Sequence, residues 1–358
     1  MSKDPRILIV GAGAVGGYVG GYFARSGADV TLVDPWPEHV AAMRANGITL
    51  EGLTPAECFT TPVRAIDLTE LQGLVREQPI DIAFCCVKSY DTAWAAALIN
   101  EYLAPGGFTV SLQNSINEDA IAHAVGWGRT IGCIAAKIAV ELTGPAVIRR
   151  GVPLGGDKHT VFRVGEAHGR ITSRIEQVRA MLAKIDSAKT TSNLWGERWS
   201  KLVANAMANG VSAATGFSSG ECNNERITRR LSIRIAGEAV RVGLAQGFDL
   251  EAINGLPAEV WDAAGKEADS GANDAEALRT VEDKLQSGGN AWRPGARPSM
   301  GQDIQKGRRT EIDYLNGLVA RRGQELGIAT PANLGLVDAV RQVERGIVAP
   351  GLDVVSGI

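Results

Sequence analysis

The stretch Ile7-Leu8-Ile9-Val10-Gly11-Ala12-Gly13-Ala14-Val15-Gly16 decides the fold of this chain. Four consecutive apolar residues with no polar alternation read as a short strand covered on both faces. A glycine-rich turn follows, and then helical pattern over residues 18–25. The glycine spacing is G-x-G-x-x-G, and each position has its own steric reason. Gly11 permits the tight turn out of the strand, Gly13 lets a backbone approach a pyrophosphate, and Gly16 lets helix and strand pack closely. The pyrophosphate would then sit at the positive end of the helix. Such a motif alone can be no more than a glycine-rich turn. Here a strand precedes it, a helix follows, and a second apolar run at residues 30–33 closes a βαβ unit. That context favours a dinucleotide site formed by Gly11, Ala12, Gly13, Ala14, Val15 and Gly16.

Outward from this motif, strand-like runs alternate with helical pattern. Residues 80–87, 108–112 and 130–135 read as strands, 38–45 and 92–102 as helices. This alternation predicts an α/β domain with a Rossmann-like, doubly wound parallel sheet. Further strands at 146–149 and 160–164 complete it, and a helix at 173–185 follows. From about residue 193 helical periods dominate: 194–211, 226–246, 257–264, 275–286 and a long one over 300–326. We therefore expect a dinucleotide-binding Rossmann domain at residues 1–190 and an all-helical substrate and catalytic domain at 191–358. The Gly/Pro-rich stretch 287–298 (SGGNAWRPGARP) interrupts the helices as an ordered loop or a lid.

A net charge of -3 argues against a partner recognised by bulk positive charge, such as nucleic acid or an anionic membrane. The four-residue apolar run near the start is too short for a signal-peptide core or a membrane span. The five cysteines (Cys58, Cys85, Cys86, Cys133 and Cys222) lack CxxC spacing, and the neighbours Cys85 and Cys86 lie within an apolar run. The expectation is a reduced, cytoplasmic protein with no metal, its partners a small-molecule substrate and at most a second copy in a homodimer.

Asp34 ends the second strand, close to where an acid binds the adenosine ribose hydroxyls. It could equally cap the helix that begins near Pro37. A carboxylate there repels the 2′-phosphate of NADP, and no Arg or Lys follows until Arg44. NAD is the expected cofactor, with NADP disfavoured.

In the second half, Trp199-Ser-Lys201-Leu-Val-Ala-Asn205-Ala-Met-Ala-Asn209 sets Lys201, Asn205 and Asn209 at i, i+4 and i+8. They share one face of a helix otherwise rich in Ala, Val, Leu and Met. A lone Lys on a helix is ordinarily a solvated charge. Two Asn in mid-helix are poor helix formers, and three aligned polar groups on an apolar helix point to a site. All four histidines (His39, His123, His159 and His168) lie in the first half. A proton donor supplied by the helical domain is therefore not His, and Lys201 is the leading candidate.

Together these stretches resemble the ketopantoate reductase (2-dehydropantoate 2-reductase) family. The resemblance rests on GAGAVGG at 11–17, Val87-Lys88-Ser89 after a strand, and Asn114 after Ser111-Leu112. WSKLVANAMAN at 199–209, and Ser299 with Thr310-Glu311-Ile312-Asp313-Tyr314, complete it. It runs in order from Ile7 to about Leu336. The resemblance implies that Lys201 is the general acid toward a 2-keto oxygen and that Asn205 and Asn209 bind substrate. It further implies that Ser299 holds the substrate carboxylate and that Glu311 orients both cofactor and catalytic lysine. Asn114 would contact the nicotinamide side and the substrate, and Lys88 would line the cofactor cleft.

Two departures bear on the substrate. Family members that make pantoate use NADPH and usually carry a basic residue where this chain has Asp34. Residues 267–298, with Trp292, also look longer than the family pattern needs, which suggests room for a substrate bulkier than ketopantoate. The expected activity is therefore hydride transfer between NAD and a 2-keto or D-2-hydroxy acid. The alternatives are NADPH-dependent 2-dehydropantoate 2-reductase proper, another Rossmann hydroxyacid dehydrogenase, and a non-catalytic NAD-binding sensor. A sensor needs the glycines but not both Lys201 and Glu311.

Overall fold

The structure is a computed structural model that describes residues 4–272, 275–288 and 295–358. The chain divides into two compact units, Met1–Leu194 and Trp195–Ile358.

In the first unit, β1 (Ile7–Val10) is buried at every position. It pairs in parallel with β2 (Val30–Val33) on one side and β6 (Ile80–Cys85) on the other. Its side chains alternate between two cores, as a strand's period of two requires. Ile7 and Ile9 join Tyr18, Val19 and Phe23 of α1 (Ala14–Arg25), whereas Leu8 and Val10 join Ala95, Ala96 and Ile99 of α3 (Thr92–Asn100). Helices therefore cover both faces, and the sheet is doubly wound.

The main sheet has eight strands in the order β12-β11-β8-β7-β6-β1-β2-β5. Here β5 is Arg64–Ile66, β7 Leu103–Ser111, β8 Thr130–Ala135, β11 Phe162–Glu166 and β12 Ala188–Thr191. It departs from a wholly parallel sheet at one pairing, since β11 runs antiparallel to β8. A second sheet, unforeseen in the sequence, has the order β4-β3-β10-β9. Its strands are β3 (Ile48–Glu51), β4 (Phe59–Thr61), β9 (Val140–Gly144) and β10 (Val147–Arg150). The strand read at 146–149 belongs to this sheet rather than the main one. Helix α1 is wedged between the two sheets: a Cβ on Gly20 would press on Leu32 and Ile9, and one on Gly21 on Ile48 and Leu50.

The second unit is helical. Helix α6 (Leu194–Thr215) leads into α7 (Ser219–Asn224) and the largely buried α8 (Arg226–Ala245). Next come α9 (Ala258–Asp269) and α10 (Glu276–Gly288). Gly237 and Gly265 let α8 and α9 touch backbone to backbone, a Cβ on either lying 2.9 Å from the other's Cα. Much of the 267–298 stretch is thus regular helix: Glu267 accepts the Leu278 N–H at 2.7 Å, and Leu278 and Val281 are buried. Trp292 lies outside the described residues. No helix among the described residues is long and apolar enough to cross a membrane.

The expected long helix over 300–326 is instead three pieces. Helix α11 (Ser299–Gln305) ends before Gly307, whose φ of 62° is left-handed. A 3-10 turn follows at Ile312–Tyr314, and α12 (Asn316–Leu326) restarts after Leu315. The break is held from a distance: Arg341 of α13 (Pro331–Glu344) pairs with Asp313, and Glu344 accepts the Thr310 N–H.

Candidate active site

The candidate residues form two groups, one on each unit. On the first unit they lie at the carboxyl ends of β1, β2, β6 and β7, where strand order reverses direction around β1. Open α/β sheets bind ligands at such a switch point. Gly11 has a φ of 94°, and its N–H donates to Val33 O at 2.8 Å. A Cβ there would lie 2.8 Å from the backbone of Cys86 and Val87, so the loop after β6 leaves no room for a side chain. Gly16 is as confined, its Cβ position only 2.0 Å from Gly11 O.

Gly13 is different. A Cβ on it would meet nothing within 4 Å, so the protein's own packing does not demand glycine there. Gly13 is also the N-cap of α1, and no side chain caps the helix. The first-turn N–H groups of Ala14, Val15 and Gly16 have no acceptor within the helix. Unpaired first-turn donors, with Ala14 and Val15 half-exposed and Gly16 buried beside an open-faced glycine, fit a pyrophosphate.

Asp34 follows β2 and is buried. Its carboxylate accepts the Trp36 N–H at 3.0 Å. Helix α2 (Pro37–Asn46) takes Trp36 as its N-cap without a side-chain cap, so Asp34 closes the turn before the helix rather than capping it. The next base along the chain, Arg44, donates to Ala65 O and pairs with Glu70.

The loops after β6 and β7 carry Lys88 and Asn114, and two residues that the sequence reading missed stitch them together. Gln113 donates to Val87 O and Thr92 Oγ1, both at 2.8 Å. Asn117 donates to Asn114 O at 2.7 Å and Ser89 Oγ at 3.2 Å. Lys88 is thereby flanked by two anchored residues, and the Asn114 carbonyl is fixed. Polar residues in loops carry no periodicity, so only their place beside Asn114 could have flagged them.

On the second unit, Lys201, Asn205 and Asn209 lie on α6, with Lys201 and Asn205 half-buried and Asn209 buried. The segments bearing Ser299 and Glu311 pack onto this same helix. A Cβ on Gly301, two residues beyond Ser299, would lie 2.6 Å from Ser212 Oγ. One on Gly210 would lie 3.1 Å from Ile312 Cδ1, next to the buried Glu311. A carboxylate, an amine, two amides and a hydroxyl thus come from segments anchored to one helix. Such a set can orient a carboxylic acid and exchange a proton with its neighbouring oxygen.

Known proteins resemble this chain along most of its length. The family model described as Ketopantoate reductase PanE/ApbA matches residues 7–158, and the model of its C-terminal part matches residues 193–344. The chain belongs to the ketopantoate reductase family. It is thus an oxidoreductase of ketopantoate reductase type, as the resemblance implied. The 2-dehydropantoate 2-reductase of Archaeoglobus fulgidus is 28% identical over 96% of this chain and 99% of its own. The crystal structure of a PanE/ApbA family ketopantoate reductase from Ralstonia eutropha superposes with a TM-score of 0.75 at 28% identity, covering 95% of this chain and 99% of the other. The same fold recurs, at TM-score 0.75 and 20% identity over 96% and 99% of the two chains, in D-mandelate dehydrogenase solved with NADH and anilino(oxo)acetate.

Proposed function

We propose that this ketopantoate reductase family member transfers hydride between NAD(H) and a 2-keto or D-2-hydroxy acid, with Lys201 as the proton donor and acceptor. The observation that carries the proposal is the face of α6 on which Lys201, Asn205 and Asn209 are aligned and against which the Ser299 and Glu311 segments pack.

The cofactor would be held by backbone N–H groups of the loop Gly11–Gly16, by Asp34 at its ribose, and by Lys88 and Asn114 along its length. When bound, the reduced nicotinamide supplies a hydride to the keto carbon. Lys201 then donates a proton to the oxygen on which negative charge builds. Ser299 holds the substrate carboxylate, Asn205 and Asn209 fix its neighbouring groups, and Glu311 orients the Lys201 ammonium. NAD(H) is favoured because Asp34 opposes a 2′-phosphate and Arg44 is already paired. The residue ranges 1–190 and 191–358 take the cofactor-binding and substrate-side roles respectively. The proposed assembly is a homodimer, which sedimentation would test.

A panel of 2-keto acids, including ketopantoate and aryl 2-keto acids, assayed with NADH and NADPH side by side tests the reading. Turnover with none of them would overturn it. NADPH-dependent 2-dehydropantoate 2-reductase itself is the second reading, favoured by the name of the Archaeoglobus fulgidus relative. Activity confined to ketopantoate with NADPH would select it.

A further inference from the structure

His39 takes no part in the chemistry above, yet it is wholly buried and both of its ring nitrogens are engaged. The main-chain N–H of Ala146 donates to Nδ1 at 2.8 Å. Nδ1 therefore presents a lone pair, so Nε2 carries the hydrogen and donates to Ala12 O at 2.9 Å. The ring also stacks on Trp36, with centroids 5.6 Å apart and planes 16° from parallel. Ala146 adopts a φ of 57°, a left-handed conformation that costs a non-glycine residue free energy.

The bond to Ala12 matters through the peptide unit it fixes. The Ala12 carbonyl and the Gly13 N–H belong to one planar peptide, and in the trans form they point in opposite directions. Holding the carbonyl toward α2 turns the Gly13 N–H away from it. The preceding peptide is fixed as well, because the Ala12 N–H donates to Val33 O at 3.2 Å. Gly13 is the one glycine of the motif whose Cβ position meets no protein atom within 4 Å, leaving that side open to a ligand.

We propose that His39 is a positioning residue for the dinucleotide: by gripping the Ala12 carbonyl it aims the Gly13 N–H at the pyrophosphate. The inference rests on the dinucleotide reading of the Gly11–Gly16 loop and adds to it a residue 23 positions beyond the motif's last glycine, outside any glycine pattern. The amide of glutamine can reproduce both bonds, accepting through oxygen and donating through nitrogen. Leucine can do neither, and asparagine is too short to span both partners.

The test is titration of NADH fluorescence and competition by ADP-ribose in the full chain, for the unmodified protein, His39→Leu, His39→Asn and His39→Gln. The expected result for Leu and Asn is a Kd for NADH raised about tenfold, the loss of one well-placed hydrogen bond. ADP-ribose, which carries the pyrophosphate, should weaken in step, and kcat at saturating NADH should fall less than affinity does. His39→Gln should recover most of the affinity. Should His39→Leu fail to fold, His39→Asn keeps a polar group in the site and reads the same loss. Folded Leu or Asn variants that bind NADH and ADP-ribose like the unmodified protein would overturn the proposal, as would a Gln variant no better than Leu. An unmodified protein that binds neither NADH nor NADPH would overturn the dinucleotide reading, and this inference with it.

Discussion

The side-chain amide of Asn316 donates to the main-chain carbonyl of Ala206 at 3.1 Å, tying the start of α12 to the middle of α6. The same amide donates to Asn333 Oδ1 at 3.0 Å, and Asn333 in turn donates to Glu238 at 2.8 Å. Glu238 also accepts the N–H groups of Ala332 and Asn333, both at 2.9 Å, at the start of α13. These side chains are fully buried, so each lost bond leaves a desolvated group behind. Asn316→Leu should destabilise the protein by about 2–3 kcal/mol and lower kcat through the adjoining Glu311 turn. Urea denaturation and steady-state rates measure both. A loss within 0.5 kcal/mol would show the network to be incidental, a margin of about the size expected for a surface change.

A second prediction concerns acid. Arg64 forks Glu77 with bonds of 2.6 and 2.7 Å, and Arg6 pairs with the same carboxylate. The Arg64 hydrogen bonds foremost hold the Glu77 carboxyl down at about 2. An unfolded Glu titrates near about 4.3. Between these values the unfolded chain binds more protons, so stability rises with pH across that window. The contribution is fully present above about pH 4.5 and is lost as pH falls toward 2. With the pair partly exposed, its size is on the order of 1 kcal/mol. Glu77→Gln should be less stable than the unmodified protein at pH 7, and the gap should narrow below about pH 4.5 and close only as pH approaches 2. A gap that stays constant with pH would contradict this assignment.

What the sequence made legible follows from which forces are local. β1 reads directly as a strand because both of its faces are buried, leaving no polar residue to blur the run. The α6 face reads directly because Lys201, Asn205 and Asn209 recur at the helix period. The strands β3, β4 and β9 were harder: Ile48–Glu51, for example, alternates buried with half-exposed over only four residues. The break between α11 and α12 was hidden because its ties, Asp313 to Arg341 and Thr310 to Glu344, span 28 and 34 residues. His39 was illegible for the same reason, since its partners lie 27 and 107 residues away.

Asp34 supplies the cofactor prediction. Its buried carboxylate meets the Trp36 N–H in the turn after β2, where the adenosine ribose would lie. NAD(H) should give the higher kcat/KM. Asp34→Arg should narrow or reverse the preference by about tenfold or more, as repulsion of a 2′-phosphate becomes a charge-assisted bond. Side-by-side kinetics with both cofactors provide the measurement. Equal or better activity of the unmodified protein with NADP(H) would sink it.

Lys201 is the sharpest test of the mechanism. As hydride reaches the 2-carbon, charge builds on the oxygen and a proton must arrive there. The helical unit has no histidine to deliver it, since His39, His123, His159 and His168 all precede residue 194. Lys201 lies half-buried on α6, on the face it shares with Asn205 and Asn209. The Glu311 segment packs against that helix through Ile312 and Asn316. Burial of the ammonium would lower its pKa and a carboxylate neighbour would raise it. Removing a positioned general acid costs on the order of 10²–10⁴-fold in rate. Lys201→Ala should therefore lower kcat by that order, while NADH binding, assigned above to the glycine loop of the first unit, should change by no more than a few-fold. A mutant with near-normal kcat would make Lys201 a structural residue and leave the proton transfer to another group.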